Sequence, residues 1–277
     1  MILNENYTLN NGYSIPKIAF GTWQISDEDT EDAVALAIKN GYRLIDTAVQ
    51  YENEEGVGRG IQKSGIDRAE LFISTKIPHD IKTYEGAKQS IVDSLCRIGT
   101  DYIDLMLIHS PKPWPELFAG SEKTYFEENL AVWKAMEEAL ADGKVKAIGV
   151  SNFEIADIQN IIDNADVKPA VNQVRVHIGH VPYDVLAYCN EQDIRIMAFS
   201  PNATGKLKGN QTIAEMAAKY GVSIPRLAIR FDVQLGVVPL PKTVHEEYMI
   251  QNADVDFVIS DEDMATLKAV EEIQSLE

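Results

Sequence analysis

Cysteine is nearly absent. Cys96 and Cys189 are the only two in 277 residues, far apart and outside any CxxC spacing, so neither a disulfide framework nor a cysteine zinc site is expected. Basic charge is also short: 25 Lys and Arg stand against 43 Asp and Glu, a formal charge of −18. Nucleic acids and anionic membranes are bound by net basic faces, so neither partner is expected. No apolar run approaches the ~18 residues of a membrane span. The start, Met1-Ile2-Leu3-Asn4-Glu5-Asn6, has neither the basic nor the apolar region of a signal peptide. A reduced, cytoplasmic setting is the expectation. No low-complexity tract or linker-like stretch divides the chain, so residues 1–277 are read as one domain.

What is present is a repeated alternation of a short apolar run, a turn and a helical pattern. The runs are Lys17–Trp23, Tyr42–Ala48, Leu71–Ile77, Ile103–His109, Val145–Asn152, Ala170–Val174, Ile194–Ser200 and Gly236–Pro241. Most are continuously apolar, as parallel strands covered on both faces must be. Between them, Ser26 or Asp27 can cap a helix that carries Val34, Ala37 and Ile38 and ends at Gly41. Phe126, Leu130, Trp133, Met136 and Leu140 follow one helical face that Gly143 ends. Ser260 and Asp263 resemble a capping box ahead of Met264, Leu267 and Ile273. Ahead of the first run, Asn10-Asn11-Gly12 within Tyr7–Ile18 signals a hairpin. Eight strands alternating with helices over about 250 residues predict an α/β fold, a (β/α)8 TIM barrel with an N-terminal β-hairpin cap. Periodicity alone leaves a doubly wound sheet open as the rival.

In such a barrel, chemistry sits where the strands end. From the second run onward the ends carry Asp46 with Tyr51 beyond, then Lys76, His109, Ser151 with Asn152, Asn172 with Gln173, Phe199 with Ser200, and Lys242 with Thr243. Seven consecutive polar strand ends suggest a ring around one mouth. A lysine behind an apolar run is costly unless paired, and Asp46 is its natural counter-ion. An ammonium about 4 Å from the Tyr51 phenol contributes about 4 kcal/mol at an effective dielectric of about 20. That lowers a reference pKa of about 10 by as much as ~3 before burial is counted against it. With His109 holding a substrate oxygen, the set suits protonation of an oxygen that becomes an alkoxide, as in carbonyl reduction.

These segments resemble the signatures of the aldo-keto reductases, especially short bacterial members similar to 2,5-diketo-gluconate reductases. Gly41-Tyr42-Arg43-Leu44-Ile45-Asp46-Thr47-Ala48, followed by Tyr51 and Asn53-Glu54, is similar to the first signature. Leu71-Phe72-Ile73-Ser74-Thr75-Lys76 resembles the segment with the catalytic lysine, and Asp104-Leu105-Met106-Leu107-Ile108-His109 that with the histidine. Gly149-Val150-Ser151-Asn152-Phe153, Asn172-Gln173-Val174 and Pro241-Lys242-Thr243 resemble the cofactor-binding segments. The resemblance implies reduction of small aldehydes, α-dicarbonyls or keto-sugars by hydride transfer from NADPH. Its catalytic set would be Asp46, Tyr51, Lys76 and His109, with Tyr51 as proton donor. Cofactor contacts would come from Thr22, Asp46, Ser151, Asn152, Gln173, Phe199, Ser200, Pro201, Asn202, Lys242, Thr243, Tyr248, Gln251 and Asn252. Trp23, Tyr51, His109 and Ser110 would line the substrate pocket. No metal is implied, and a monomer is the default expectation.

The departures are informative. Ser110-Pro111 stands where the family usually has Trp-Pro, and Pro78 where a tryptophan often follows the lysine, with Trp114 available to refill the space. After Asn172-Gln173 the family continues with an acidic residue and His-Pro, whereas this chain reads Val174-Arg175-Val176-His177-Ile178. Four residues follow Ile273, so a broad, open site without a long closing tail is expected. Tyr248 replaces the arginine that usually pairs with the 2′-phosphate, removing about one ion pair, so NADH tolerance is expected beside NADPH use. Two rival functions remain: a Lys76 Schiff-base lyase of the aldolase type, and a catalytically idle NADP-binding subunit. His177 and His180 lack a third metal ligand, and Gly56-Val57-Gly58-Arg59-Gly60 has the wrong spacing and position for a dinucleotide fingerprint.

Overall fold

All eight apolar runs become parallel strands. The computed structural model describes residues 1–274. A hairpin of β1 (Asn6–Thr8) and β2 (Ser14–Pro16) precedes β3 (Phe20–Gly21), β4 (Leu44–Asp46), β5 (Phe72–Ile77), β6 (Ile103–Ile108), β7 (Val145–Ser151), β8 (Val171–Arg175), β9 (Arg195–Phe199) and β10 (Val238–Pro239). From β3 to β10 each strand pairs with the next in chain order. The amides of Ala19 and Gly21 donate to the carbonyls of Pro239 and Pro241 at 3.0 Å, which joins the first strand to the last and closes the barrel. A doubly wound sheet is thereby excluded.

Helices fill the connections: α1 (Asp27–Lys39), α2 (Glu54–Ser64), α3 (Tyr84–Ile98), α4 (Trp114–Phe118), α5 (Phe126–Ala141), α6 (Ile155–Asn164), α7 (Tyr183–Glu191), α8 (Gln211–Lys219), α9 (Ile224–Gln234), α10 (Glu246–Ala253) and α11 (Asp261–Lys268). Ser26 caps α1 by accepting from the Asp29 amide, and Gly41 follows at φ 94°, a conformation that glycine adopts without strain. α11 is shorter than its apolar pattern suggests. Ser260 accepts from the Asp263 amide, but the Asp263 carboxylate binds Lys219 and Tyr220 instead of reaching back. The helix stops at Lys268, and Ile273 packs separately, its amide donating to Gly179 O at 2.9 Å.

The period-two alternation of strands sorts side chains into two layers. Leu44, Phe72, Leu105, Leu107, Ala147, Val171, Met197 and Val238 form one buried cluster with Leu9 and Ile15 of the hairpin region, so the hairpin plugs the N-terminal end of the barrel. Tyr13 locks it there by donating to Asp104 at 2.7 Å. Intervening residues such as Ile45, Met106 and Ile148 pack with the helices instead. The glycine run in α2 has a packing cause. A Cβ on Gly58 would stand 2.3 Å from the Ile98 carbonyl oxygen, and one on Gly60 would stand 2.7 Å from Val34 Cβ. α2 is wedged between α1 and α3, with Arg59 ion-paired to Asp27 and Glu31. Among the described residues no helix is long and apolar enough to cross a membrane.

One residue works against this packing. Asp232 on α9 is fully buried, and neither carboxylate oxygen has a hydrogen-bond partner among the described residues. Burial holds its carboxyl well above the ordinary range, so the folded protein keeps a proton that the unfolded chain releases near pH 4. Stability therefore falls as pH rises above about 4, by up to ~1.4 kcal/mol per pH unit, until the buried carboxyl itself ionises. Asp232→Asn should remove this component. Thermal melts of both proteins from about pH 5 to pH 8 should show the variant gaining on the parent as pH rises; a pH-independent difference would contradict the assignment.

Candidate active site

The same alternation that buries the barrel interior carries polar residues into the next layer towards the mouth. Leu44 is followed on its face by Asp46, and Phe72 by Ser74 and Lys76. Leu107 is followed by His109, Val171 by Gln173, and Met197 by Phe199. Parallel register keeps these ends level: Asp46 is opposite Ser74, Lys76 opposite Leu107, and Ser151 opposite Gln173. The ring anticipated from the strand ends is thus assembled by sheet geometry.

At its centre lies a buried chain of contacts. The Lys76 ammonium, fully buried, donates to Asp46 Oδ2 at 2.9 Å, to the Thr47 carbonyl at 2.8 Å and to the Tyr51 hydroxyl at 3.4 Å. The other Asp46 oxygen accepts from Gln173 Nε2 at 2.9 Å. Burial alone would lower the Lys76 pKa, but Asp46 and Tyr51 outweigh it and hold the ammonium above its ordinary value. A lysine that stays protonated has no lone pair with which to form a Schiff base, which removes the basis of the lyase reading.

For Tyr51 the balance runs the other way from the sequence expectation. Burial is the largest influence and raises the phenol; Lys76 opposes it, Asp46 adds to it, and the net shift is upward from 10.0. Tyr51 therefore rests as the neutral phenol. Across the pocket, His109 is neutral at physiological pH, because burial and then the Lys76 charge push its pKa well below 6.5. Its ring meets Tyr51 edge-on with centroids 5.8 Å apart, and its Nδ1 is buried without a partner among the described residues.

These groups floor a cavity of about 960 Å³. Trp23, Tyr51, His109, Ser151, Asn152, Gln173, Phe199, Ser200, Pro201, Asn202 and Lys242 all line it. Ser110 does not. It is buried, its hydroxyl donates to the Lys112 carbonyl, and its own carbonyl accepts from Lys82. Thr22 is also buried behind the wall, bonded to the Asp46 carbonyl at 3.1 Å. Thr243, Tyr248, Gln251 and Asn252 lie in and just before α10, outside the cavity lining. Thr243 Oγ1 accepts from the His245 amide, while Tyr248 is exposed beside His245.

Several lining residues carry no sequence signal that singled them out: Gln24, Gln50, Leu117, Phe118, Thr204 and Gly205. Leu117 and Phe118 belong to α4, whose five residues are too few for a period to be read. Trp114 in α4 stacks on Phe118 and meets the His109 ring edge-on at 5.3 Å, and its amide donates to His79. Trp114 thus gives the cavity an aromatic wall beside His109. Gln24, Asn152, Ser200 and Thr204 have positive φ, from 50° to 60°. Such strained backbone concentrated around one cavity is a mark of a functional site. Asn53 and Glu54 of the first signature supply supporting contacts whose partners the sequence does not show. Buried Asn53 accepts from Thr47 and donates to the Thr22 and Ile25 carbonyls. Buried Glu54 ties Thr75 to Arg97. Among the described residues there is no group of three or more His, Cys, Asp or Glu placed to hold a metal.

The cavity suits a nicotinamide cofactor. Ser151, Asn152 and Gln173 cluster on one wall, Phe199 offers an aromatic face, Lys242 adds a cation at the rim, and Asn202 Oδ1 is a buried acceptor without a partner among the described residues. Comparison with known proteins agrees. The sequence profile of the Aldo/keto reductase family matches residues 17–272. Glyoxal reductase of Bacillus subtilis (strain 168) is 39% identical over 270 residues, spanning 97% of this chain and 93% of that protein. The crystal structure of MGS-M4, an aldo-keto reductase from a Medee basin deep-sea metagenome library, superposes with a TM-score of 0.89 at 37% identity, covering 96% of this chain and 95% of that one. The Bombyx mori aldo-keto reductase in complex with NADP superposes with a TM-score of 0.85 at 31% identity, over 95% of this chain and 92% of that one. A closed barrel with a buried Asp–Lys–Tyr chain at its mouth, matched end to end by these relatives, places the chain in the Aldo/keto reductase family.

Proposed function

We propose that the protein is an NADPH-preferring carbonyl reductase of small aldehydes and α-dicarbonyls, with Tyr51 as the proton donor. The observation that carries this reading is the buried contact chain Gln173–Asp46–Lys76–Tyr51, which ends in a neutral phenol at the cavity floor beside a neutral His109. The glyoxal reductase relative and the NADP complex of a second relative support the substrate class and the cofactor.

When bound, reduced nicotinamide supplies the hydride for the carbonyl carbon. This chain's residues do the rest. Tyr51 passes its phenolic proton to the carbonyl oxygen, and the Lys76 ammonium stabilises the phenolate left behind. Asp46 keeps that ammonium charged and in place, so its charge acts when the phenolate forms. His109, being neutral, can hydrogen-bond the carbonyl oxygen without repelling Lys76. Ser151, Asn152, Gln173 and Phe199 would hold the nicotinamide, and Lys242 the phosphates. Exposed Tyr248 carries no charge for a 2′-phosphate, and this is why NADH should be tolerated.

Two measurements test the proposal. Tyr51→Phe should lower kcat with methylglyoxal by at least ~100-fold, the scale of a positioned general acid, while NADPH affinity by fluorescence titration stays nearly unchanged; more than a few per cent residual turnover would contradict the donor role. Consumption of NADPH and NADH should both be measurable, with a modest NADPH preference. Restoring the cation with Tyr248→Arg should raise that preference by about 10-fold or more, chiefly through the KM for NADPH, as expected of one charged hydrogen bond. An unchanged cofactor ratio would remove α10 from the cofactor site.

A further inference from the structure

The aromatic wall of the cavity stands on a helix too short to hold itself. α4 has five residues, and a helix of that length has no stability of its own in water. Side chains fasten its far end: Lys112 Nζ donates to the Ser121 carbonyl at 2.7 Å, and the Tyr125 hydroxyl donates to Glu116. At its near end the N-cap Pro113 makes no side-chain cap, and Pro115 has no N–H. The amides of Glu116 and Leu117 both donate to the Pro113 carbonyl. That leaves the Trp114 amide. It donates to His79 Nδ1 at 3.3 Å, while the two rings pack with centroids 5.1 Å apart. His79 is half-buried in the loop after β5, the strand that carries Lys76. It is not one of the described residues lining the cavity, whereas Trp114, Leu117 and Phe118 are.

We propose that His79 is a positioning residue: by accepting the Trp114 amide it fixes the Trp114–Phe118 wall and so sets how strongly the site prefers flat aryl carbonyls to small aliphatic ones. The proposal rests on the reductase reading and deepens it to the selectivity of that same site. Trp114 meets His109 edge-on at 5.3 Å and stacks on Phe118 at 5.7 Å, so a shift of its backbone moves the wall as a unit. Phe118 is 61% exposed, so its place follows Trp114 rather than packing from outside. An aryl group gains from offset or edge-on contact with a ring only at the right separation, whereas a short alkyl chain has no ring face to align. The contact is also proton-sensitive. A backbone amide can only donate, so Nδ1 accepts only while it carries no proton. Burial lowers the His79 pKa from 6.5; Asp80 on the same loop opposes this and Lys82 adds to it. Across the gap His109 stays neutral, and Glu116 of α4 is taken up by Tyr125. The acceptor is therefore present at neutral pH and is lost as pH falls through a value below 6.5.

Benzaldehyde and butanal present the same reacting group with and without a ring, and the readout is the ratio of their kcat/KM values with the whole protein and saturating NADPH. Their intrinsic reactivities differ, but that difference cancels between variants. His79→Phe keeps a ring against Trp114 and removes the acceptor. It should lower the ratio by about 3–10-fold, the scale of one neutral hydrogen bond, through a higher KM for benzaldehyde with kcat for butanal little changed. His79→Asn keeps an acceptor near the position of Nδ1 without a titrating ring, and should restore the ratio. In the parent the ratio should hold from about pH 8 to about pH 6.5, the ordinary histidine value, and fall below it; in His79→Asn it should stay level throughout. A ratio lowered as much by His79→Asn as by His79→Phe, or the same pH dependence in parent and His79→Asn, would overturn the proposal and leave the reductase standing. An equal loss of kcat with both aldehydes in both variants would show a structural role only and would overturn it as well. Absence of NADPH consumption with either aldehyde would overturn the reductase reading and this proposal together.

Discussion

A charged lysine buried without exposure inside a barrel is the constraint on which the rest of the site depends. Removing an ammonium and a carboxylate from water costs several kcal/mol each unless their remaining hydrogen-bonding positions are filled. Here they are filled: Lys76 by Asp46, the Thr47 carbonyl and Tyr51, and Asp46 by Lys76 and Gln173. Asp46, Thr47 and Tyr51 belong to β4 and the loop after it, Lys76 to β5 and Gln173 to β8. β4, β5 and β8 must therefore keep their register for the ion pair to be tolerated, and the ion pair in turn fixes where the Tyr51 hydroxyl stands. The surrounding shell serves the same end, with Asn53 and Glu54 binding the first loops to the strands that carry Asp46 and Lys76.

The electrostatic consequence separates two properties that are easily conflated. A nearby ammonium favours the phenolate of Tyr51, yet burial disfavours it more, so the resting group is a phenol. That combination suits a proton donor in reduction. The proton is present at the start, and the charge that forms on its departure meets an ammonium already in place. Neutral His109 belongs to the same arrangement, since a second cation beside Lys76 in this buried space would be unfavourable.

Much of this was legible in the sequence because strand alternation leaves a strong one-dimensional trace. Apolar runs ending in Asp46, Lys76, His109, Ser151 and Gln173 could be read as strands with polar tips, and closure of the barrel brings those tips together. The unread parts depend on three-dimensional packing. α4 is too short to show a period, so the Trp114–Phe118 wall was visible only as a tryptophan in a loop. The sign of the Tyr51 shift depends on how much water the fold excludes, which no residue spacing encodes. Ser110 and Thr22 occupy the anticipated chain positions but turn their hydroxyls to backbone carbonyls behind the wall. Leu267, Val270 and Ile273 recur every third residue as a helix face would, yet α11 stops at Lys268, and the close approach to Gly179 that seats Ile273 is a long-range contact.

The central claim, that burial keeps Tyr51 a phenol despite the adjacent Lys76 ammonium, is open to direct measurement by 13C NMR of the protein labelled at tyrosine Cζ. The chain has 11 tyrosines, and the Tyr51 signal is identified by its loss in Tyr51→Phe. The account predicts a signal at the phenol position from neutral pH to about pH 10, the ordinary tyrosine value, with ionisation only above it. A Tyr51 signal already at the phenolate position at neutral pH would contradict the balance of burial and charge on which this site is built.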